Sequence, residues 1–189
     1  MIQELLRHFD HLIISTGASF DEEIVETARI VKDAGKRLTF LHCVTSYPNA
    51  LPMANLARMR WLRQFTPDVG WSDHTLVSRD GIKAAKVALA EGAGLVERHF
   101  TIQAADKTKD GPVSVTPELL RELAAFSRLT REEMCERVEV EIPEWQDLIG
   151  HETRELTYTE ILNRDYYRGR FASNMHGKWI YNWDEQSVA

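Results

Sequence analysis

Short apolar segments alternate four times with longer amphipathic segments over the first 130 residues. The apolar segments begin near residues 12, 39, 70 and 95. Their length suits buried strands, and the segments between them are long enough for helices. Strands that alternate with helices in this way form a parallel sheet with right-handed crossover connections. The sequence therefore predicts an α/β fold built from four βα units.

Helix signals follow the predicted strands. Ile24, Ala28 and Val31 are spaced i, i+4 and i+7, as on the buried face of a helix. Ser19 and Glu22 have the spacing of a capping box at its start. Later helices are expected over residues 53–65 and 82–90. An N-cap threonine and a proline at positions 116 and 117 predict one long helix that continues to residue 137.

The charge balance argues against a nucleic-acid partner. The chain has 23 Lys and Arg residues against 29 Asp and Glu residues, a net charge of −6, whereas nucleic-acid-binding domains normally carry a basic surplus. No apolar run approaches the roughly 18 residues of a membrane span. The first ten residues lack the apolar centre of a secretory signal. We therefore expect a cytoplasmic protein with no nucleic-acid or membrane partner.

The amino-acid composition and the pattern of the sequence change at about residue 138. Three of the five Trp and four of the five Tyr residues lie in the last quarter, which has no βα rhythm. We expect one domain over residues 1–137 and an aromatic appendage over 138–189. The appendage is expected to contain a hairpin that turns at residues 175–177. Its Trp179, Tyr181 and Trp183 are candidates to cover exposed apolar surface.

Polar residues gather where the predicted strands end, which is where βα folds bind ligands. Ser72 and His74 lie two residues apart and share one face of their strand, as do Glu97 and His99 on theirs. Two imidazoles from neighbouring strand ends favour a shared divalent metal, although either histidine alone would suit the core. Glu97 could orient a histidine or pair with a Lys, and Glu97 or Asp73 is expected next to the metal-binding histidines.

Three further residues lie in or after the predicted strands, and two of them have more than one interpretation. His42 lies within its strand, and its position does not decide between the core and a ligand. Cys43 is flanked by apolar residues and is expected to be a small core residue. Asp110 belongs to a charged loop at 106–112, which either is solvated or contacts substrate above the strand ends.

Four motifs in this order carry a family resemblance. They read ISTG at 14–17, LHC at 41–43 with SYP at 46–48, GWSDHT at 70–75, and ERHFT at 97–101. Together they resemble the sialic acid synthase family, which includes the N-acetylneuraminate, legionaminic and pseudaminic acid synthases and their spore-coat polysaccharide relatives. The resemblance covers roughly residues 11–130.

The resemblance implies a TIM barrel that condenses phosphoenolpyruvate with an N-acetylated hexosamine into a nine-carbon 2-keto sugar acid and releases phosphate. It implies a divalent metal, Mn²⁺ or Mg²⁺, bound by His74 and His99. It further implies phosphoenolpyruvate contacts from Ser15, Thr45 and Ser72, and sugar contacts from Tyr47 and Asp110. In this interpretation His74, His99 and Asp110 are the catalytic residues.

The resemblance is to only half of a barrel. A complete TIM barrel has about 250 residues and eight βα units, and these four match the family's fifth to eighth. The family's first half carries a Glu, two Lys and a Gln that hold the substrates, and its antifreeze-like domain is not recognisable in residues 138–189. We therefore expect a homodimer or a complementing half-barrel as partner, and doubtful activity from this chain alone.

Two alternatives stay open. The chain could be a catalytically silent half-barrel module that binds a partner chain or a sugar. It could also belong to another phosphoenolpyruvate-dependent aldol-type synthase that acts on a phosphorylated sugar. The second alternative would require an additional phosphate-binding loop, and the sequence shows no glycine-rich loop or arginine pair at a strand end.

Overall fold

Four parallel strands form the centre of the molecule. The computed structural model describes residues 1–167, 172–175 and 177–181. The strands are β1 (His11–Ser15), β2 (Arg37–Cys43), β3 (Asp68–Asp73) and β4 (Val96–Arg98). They lie side by side in chain order, and each pairs in parallel with the next. The predicted α/β half-barrel of four βα units is confirmed.

Helices precede, connect and follow these strands. They are α1 (Ile2–Leu5), α2 (Asp21–Asp33), α3 (Arg58–Leu62), α4 (Val77–Asp80), α5 (Lys83–Ala90), α6 (Pro117–Phe126), α7 (Arg131–Glu141), α8 (Trp145–Ile149) and α9 (Tyr158–Tyr167). Short 3₁₀ turns lie at Leu51–Met53, Ala105–Lys107 and Gly111–Val113. The helix predicted over 53–65 is therefore shorter, because a 3₁₀ turn and a loop occupy its first part.

The long helix predicted from 117 to 137 was wrong, because the chain breaks it into α6 and α7. Thr130 starts the second helix with a capping box: its Oγ1 accepts the Glu133 N–H, and its own N–H donates to Glu133 Oε2 at 2.7 Å. The capping box predicted at Ser19 and Glu22 was wrong by one residue. The first residue before α2 is Phe20, whose N–H donates to Glu23 Oε2.

The hydrophobic core lies between the sheet and its helices. Phe40 and Trp71 project from the outer face of the sheet and are almost fully buried. They pack in one cluster with Leu56, Met59 and Leu62 from the segment that contains α3. Because every second strand residue points into this layer, the residues between them point to the opposite, inner face of the sheet.

Helix α7 continues across the boundary that the sequence suggested between residues 137 and 138, and Val138 is buried in the core. Farther along, β5 (Ala172–Met175) and β6 (Lys178–Tyr181) pair in antiparallel orientation, so the hairpin is confirmed. The side chains expected to cover apolar surface, those of Trp179, Tyr181 and Trp183, lie outside what the structure describes.

Within residues 1–167 and the described hairpin strands, no helix has the length and apolar character needed to cross a membrane.

Candidate active site at the strand ends

Alternation along the four strand ends brings the candidate residues to one cavity on the inner face of the sheet. The cavity has a volume of about 290 Å³. Within each strand end, the lining residues are spaced two apart. They are Ser15 and Gly17; Cys43, Thr45 and Tyr47; Ser72 and His74; and Glu97 and His99. The structure thus brings together six of the seven residues proposed from the sequence, and Asp110 lies beside His99.

Register aligns this lining across the sheet. Cys43 is the partner of Ser72 in β2 and β3, and Ser72 is the partner of Glu97 in β4. Ser72 Oγ donates to Glu97 Oε1 at 2.6 Å. Glu97 therefore contacts a serine hydroxyl rather than a histidine. Within the part of the chain that the structure describes, this carboxylate faces the cavity and no Lys or Arg belongs to the lining.

The two histidines face each other. The ring centroids of His74 and His99 are 5.2 Å apart, and the Tyr47 ring lies 4.1 Å from that of His74. Burial, with smaller contributions from His99 and Arg98, lowers the pKa of His74 to about 3. His74 is consequently neutral at physiological pH and keeps a nitrogen lone pair for binding.

The donor set fits a weak divalent-metal site. Two imidazoles from adjacent strands are suitable ligands for Mn²⁺ and leave positions open for substrate and water. Among the described residues, no group of three or more His, Cys, Asp or Glu side chains is arranged to hold a metal ion. An ion at His74 and His99 would therefore depend on ligands other than these side chains for the rest of its coordination.

Asp110 and Tyr47 lie at the rim of the cavity. Asp110 Oδ2 is 3.8 Å from His99 Nδ1, and its carboxylate is half exposed. Tyr47 is also partly exposed, at 43%. Both positions leave room for a ligand above the histidines.

Thr45 belongs to the cavity lining, and its hydroxyl has no hydrogen-bond partner among the described residues. It is 6% exposed, and its Oγ1 is buried without a hydrogen bond among the described residues. Its methyl group lies against Gly17, where an added Cβ would be 2.6 Å from Thr45 Cγ2. A buried polar atom without a partner is costly in a folded protein, so this hydroxyl is a suitable contact for a polar ligand.

A buried network lies behind the histidines; it includes Asp73, which was expected there as an alternative to Glu97, and also Arg98 and Thr75, whose parts were not predicted. Asp73 and Arg98 form an ion pair with both side chains almost completely buried. Asp73 Oδ1 accepts hydrogen bonds from the N–H and hydroxyl of Thr75, while Arg98 donates to the Thr75 hydroxyl and carbonyl at 2.9 Å. This back network ties β3 to β4 at residues adjacent to His74 and His99. The alternation of side chains along the strands predicts this placement. Positions 73 and 98 each lie next to cavity-facing residues, so their side chains point to the opposite face of the sheet.

The appendage contacts the site through residues that gave no sequence signal. Glu160 Oε1 accepts the Thr45 N–H at 3.3 Å, and Asn163 Nδ2 donates to the Thr45 carbonyl at 2.6 Å. These contacts join positions that are more than 110 residues apart. No spacing rule relates them.

His42 and Cys43 differ from each other. His42 is buried on the helix side, its Nε2 lies 2.8 Å from the Ala54 carbonyl oxygen, and its ring packs against Trp71. It is a core residue. Cys43 is buried but lines the cavity, and its Sγ lies 3.7 Å from His74 Nδ1. Burial raises the pKa of this thiol to about 11.

Comparisons with known proteins identify relatives of the chain. The model of the NeuB family matches residues 1–139. An uncharacterized protein of Methanocaldococcus jannaschii is 31% identical over 178 residues, which cover 92% of this chain and 50% of that protein. The N,N'-diacetyllegionaminic acid synthase of Campylobacter jejuni is 38% identical over 130 residues, which cover 65% of this chain and 37% of the synthase.

Solved structures of two proteins share the fold of this chain. The spore coat polysaccharide biosynthesis protein SpsE of Bacillus subtilis superposes with a TM-score of 0.69 at 24% identity, over 84% of this chain and 44% of that one. The N-acetylneuraminic acid synthetase of Leptospira borgpetersenii gives a TM-score of 0.57 at 27% identity, over 82% and 48% of the two chains. The chain spans about half the length of these proteins or less.

Proposed function

Because the chain belongs to the NeuB family, we propose that it supplies one half of the active site of a sialic-acid-type synthase. The proposed reaction condenses phosphoenolpyruvate with an N-acetylated hexosamine and yields a nine-carbon 2-keto sugar acid and phosphate. The relatives named as sialic, legionaminic and pseudaminic acid synthases support this general type of condensation.

The observation that carries the proposal is the convergence of hydroxyls and imidazoles on one cavity. The hydroxyls of Ser15, Thr45 and Ser72 lie on the same inner face as His74 and His99. Hydroxyl groups suit the oxygens of a phosphate or carboxylate, and imidazoles suit a divalent ion. A single cavity therefore offers the chemistry that both an anionic enol ester and an aldehyde sugar require.

In the proposed mechanism, the hydroxyls fix phosphoenolpyruvate while the rim residues orient the sugar. Ser15 and Thr45 donate hydrogen bonds to its carboxylate and phosphate oxygens. Ser72 does so after its O–H turns away from Glu97 Oε1. Tyr47 and Asp110 contact sugar hydroxyls above the histidines. This arrangement holds the enol carbon close to the aldehyde carbon, and such proximity supplies much of the acceleration of a two-substrate reaction.

His74 and His99 would hold Mn²⁺ or Mg²⁺, and the ion would supply Lewis acidity to the sugar aldehyde. As the enol carbon forms the new C–C bond, its C=C π bond and the aldehyde C=O π bond break, which leaves an alkoxide on the sugar and a cationic carbon. Water then adds to that carbon and gives up a proton to the alkoxide, and the bond from the carbon to the phosphate oxygen breaks. Phosphate leaves, and the 2-keto group forms.

The second half of the site is proposed to come from a complementing half-barrel or a second copy of the chain. No Lys or Arg belongs to the cavity lining formed by the described residues. The positive charge that phosphoenolpyruvate requires must therefore be supplied by the bound ion and by residues outside this lining. Preorganised groups on both sides of the reacting atoms provide most of the rate of an enzyme. We therefore expect no measurable turnover from this chain alone.

The test is titration calorimetry of the purified chain with Mn²⁺ and phosphoenolpyruvate. We expect modest Mn²⁺ binding that is abolished by His74→Ala and by His99→Ala. The matched control is His151→Ala, because His151 is exposed and remote in sequence from the strand ends. Undiminished Mn²⁺ binding by the double variant His74→Ala/His99→Ala would show that the site is wrong.

A catalytically silent binding module is the second candidate, and the half-length match to the relatives favours it. Supplying a separately expressed first half of a NeuB barrel distinguishes the two. Synthase activity that appears on mixing supports the enzyme, whereas complex formation without activity, and without phosphoenolpyruvate binding, supports the module.

A further inference from the structure

We propose that residues 154–164 of the appendage are a positioning element for the ligand: Glu160 and Asn163 fix the backbone of Thr45 and thereby direct its hydroxyl to the bound anion. The identity of that anion, phosphoenolpyruvate, rests on the proposed function. Glu160 and Asn163 act through Thr45, and neither belongs to the cavity lining.

The backbone of Thr45 is hydrogen-bonded on both sides of its side chain. Its N–H donates to Glu160 Oε1 at 3.3 Å, and its carbonyl accepts from Asn163 Nδ2 at 2.6 Å. Thr45 lies beyond the end of β2, outside the residues that pair with β1 and β3. The appendage thus provides hydrogen bonds to both peptide groups that flank the Thr45 side chain.

Glu160 is held rigidly by the hydrogen-bond donors around its carboxylate. Its carboxylate is completely buried and receives two hydrogen bonds from Arg154, at 2.6 and 2.7 Å. The N–H and hydroxyl of Thr157 donate to the same carboxylate at 3.0 and 3.1 Å. A carboxylate with this many donors has little freedom to move, so the Thr45 N–H meets a fixed acceptor.

Helix α9 also contacts the loop after β1, through Arg164. Arg164 donates to the Ala18 carbonyl at 2.9 Å and makes a bidentate ion pair with Glu23 at the start of α2. This loop also contains Gly17, against which the Thr45 methyl packs. The same helix therefore holds both sides of the Thr45–Gly17 contact.

These restraints leave one polar group of Thr45 without a partner. The N–H and the carbonyl are bonded, and the methyl is confined by Gly17, while Oγ1 is buried and lacks a hydrogen bond among the described residues. A buried ion pair contributes little net stability after the cost of desolvation. Here one of its partners bonds the backbone of a cavity residue, as the outer groups around a binding site do when they orient a contact residue.

The experiment is a double-mutant cycle on phosphoenolpyruvate binding to the full chain in the presence of Mn²⁺. Asn163→Ala removes the donor to Thr45, and Thr45→Val removes the hydroxyl but keeps the shape. We expect Asn163→Ala to weaken phosphoenolpyruvate binding about tenfold in the parent chain and less than about twofold in the Thr45→Val variant, since the effect travels through that hydroxyl. An equal loss in both chains, or no loss in either, would overturn the inference.

Matched measurements separate positioning from misfolding. Glu155→Gln alters an exposed carboxylate beside Arg154 and should leave phosphoenolpyruvate affinity unchanged. Mn²⁺ affinity should be the same in Asn163→Ala as in the parent chain, because His74 and His99 lie on other strand ends. A parallel fall in Mn²⁺ affinity indicates general misfolding and counts against a specific role for Asn163.

Failure of the proposed function gives a different result. If the parent chain binds no phosphoenolpyruvate, the substrate assignment is wrong, and amide hydrogen exchange decides the positioning on its own. We then expect the Thr45 amide in segment 45–47 to exchange at least about tenfold faster in Asn163→Ala than in the parent chain, because a segment no longer held by Asn163 releases the Thr45 N–H from Glu160 more often. Unchanged exchange in this segment would refute the positioning role.

Discussion

The two sides of the cavity are held in place by different parts of the chain. On the histidine side, formed by Ser72, His74, Glu97 and His99, the back network of Asp73, Thr75 and Arg98 lies within the same strand ends. On the hydroxyl side, formed by Ser15 and Thr45, the supporting residues come from α9. One side is held by its immediate neighbours, and the other by residues more than 110 positions away.

This difference indicates how each side depends on the rest of the molecule. The histidine side can form as soon as β3 and β4 pair, because its supports are in those strands. The hydroxyl side is complete only after α9 has docked. Substitutions in the appendage should therefore affect the two sides unequally.

The largest effect is expected from Asp73→Asn. The substitution leaves the buried Arg98 guanidinium without its counter-charge, and breaking one partner of a buried ion pair costs about 3–5 kcal/mol. Urea unfolding should report this loss in the free energy of unfolding. The matched control is Arg29→Gln, which removes two exposed ion pairs, with Glu26 and Asp33, and should change the unfolding midpoint very little. Equal effects of the two substitutions would contradict a structural role for the back network.

Acid should destabilise the sheet and the appendage in different pH ranges. Burial, assisted by the nearby Arg154 charge, lowers the pKa of His42 to about 3 from an ordinary value of 6.5. Between these values the unfolded chain binds a proton that the folded chain does not. His42 alone should therefore remove up to about 1.4 kcal/mol of unfolding free energy per pH unit as the pH falls below 6.5. The pKa of His74 is lowered in the same way and adds a similar contribution. His42→Phe should thus reduce the slope by about half, and an unchanged slope would show that His42 is not responsible.

The appendage should respond only at lower pH. Although burial opposes it, the hydrogen bonds and charge of Arg154 hold the pKa of Glu160 below its ordinary value of 4.5. Its stabilisation is complete above 4.5 and is lost as the pH falls through the lower folded value. At pH 5.5, where the sheet is already weakened, α9 should therefore remain docked, and its amide protons should keep their protection from exchange. Undocking of α9 before the sheet loses stability would reverse this order.

Arg154→Met should have a smaller global effect than Asp73→Asn. It also strands a buried charge, on Glu160, but the helix can undock locally and expose that carboxylate to water. Because local opening limits the cost, the free energy of global unfolding should fall by less than about 1 kcal/mol. Limited proteolysis after residue 150 should become faster. A loss as large as that of Asp73→Asn would show that the appendage and the sheet unfold together.

The smallest effect is expected from Gly17→Ala. The new methyl group would lie 2.6 Å from Thr45 Cγ2, so Thr45 must shift by a fraction of an ångström. The methyl group would also lie 3.0 Å from Cys43 Sγ, which is itself 3.7 Å from His74 Nδ1. We therefore expect phosphoenolpyruvate binding to weaken by about three- to tenfold and Mn²⁺ binding to weaken less, since the closer clash is with Thr45. Gly94→Ala is the control, because its Cβ would be 3.6 Å from the Val69 carbonyl oxygen, an ordinary contact.

Much of the fold and of the histidine side could be predicted from the sequence because both depend on local periodicity. Apolar runs located the four strands, and spacing of two placed Ser72 with His74 and Glu97 with His99. The break between α6 and α7 was missed even though Thr130 and Glu133 have capping-box spacing. Glu160 and Asn163 could not be found in this way, because their contact with Thr45 depends on how a distant helix docks and not on any pattern within it.

The spacing of two along each strand end also limits how this site can change during evolution. A substitution at a lining position changes one side chain and leaves the strand register unchanged, so the other lining residues keep facing the cavity. Deletion of a single residue before His74 would instead bring Asp73 onto the cavity face and turn the imidazole towards the helices, since neighbouring strand residues point to opposite faces. Insertions and deletions in these four segments are therefore tolerated only in pairs, whereas the loops beyond them are free to vary in length.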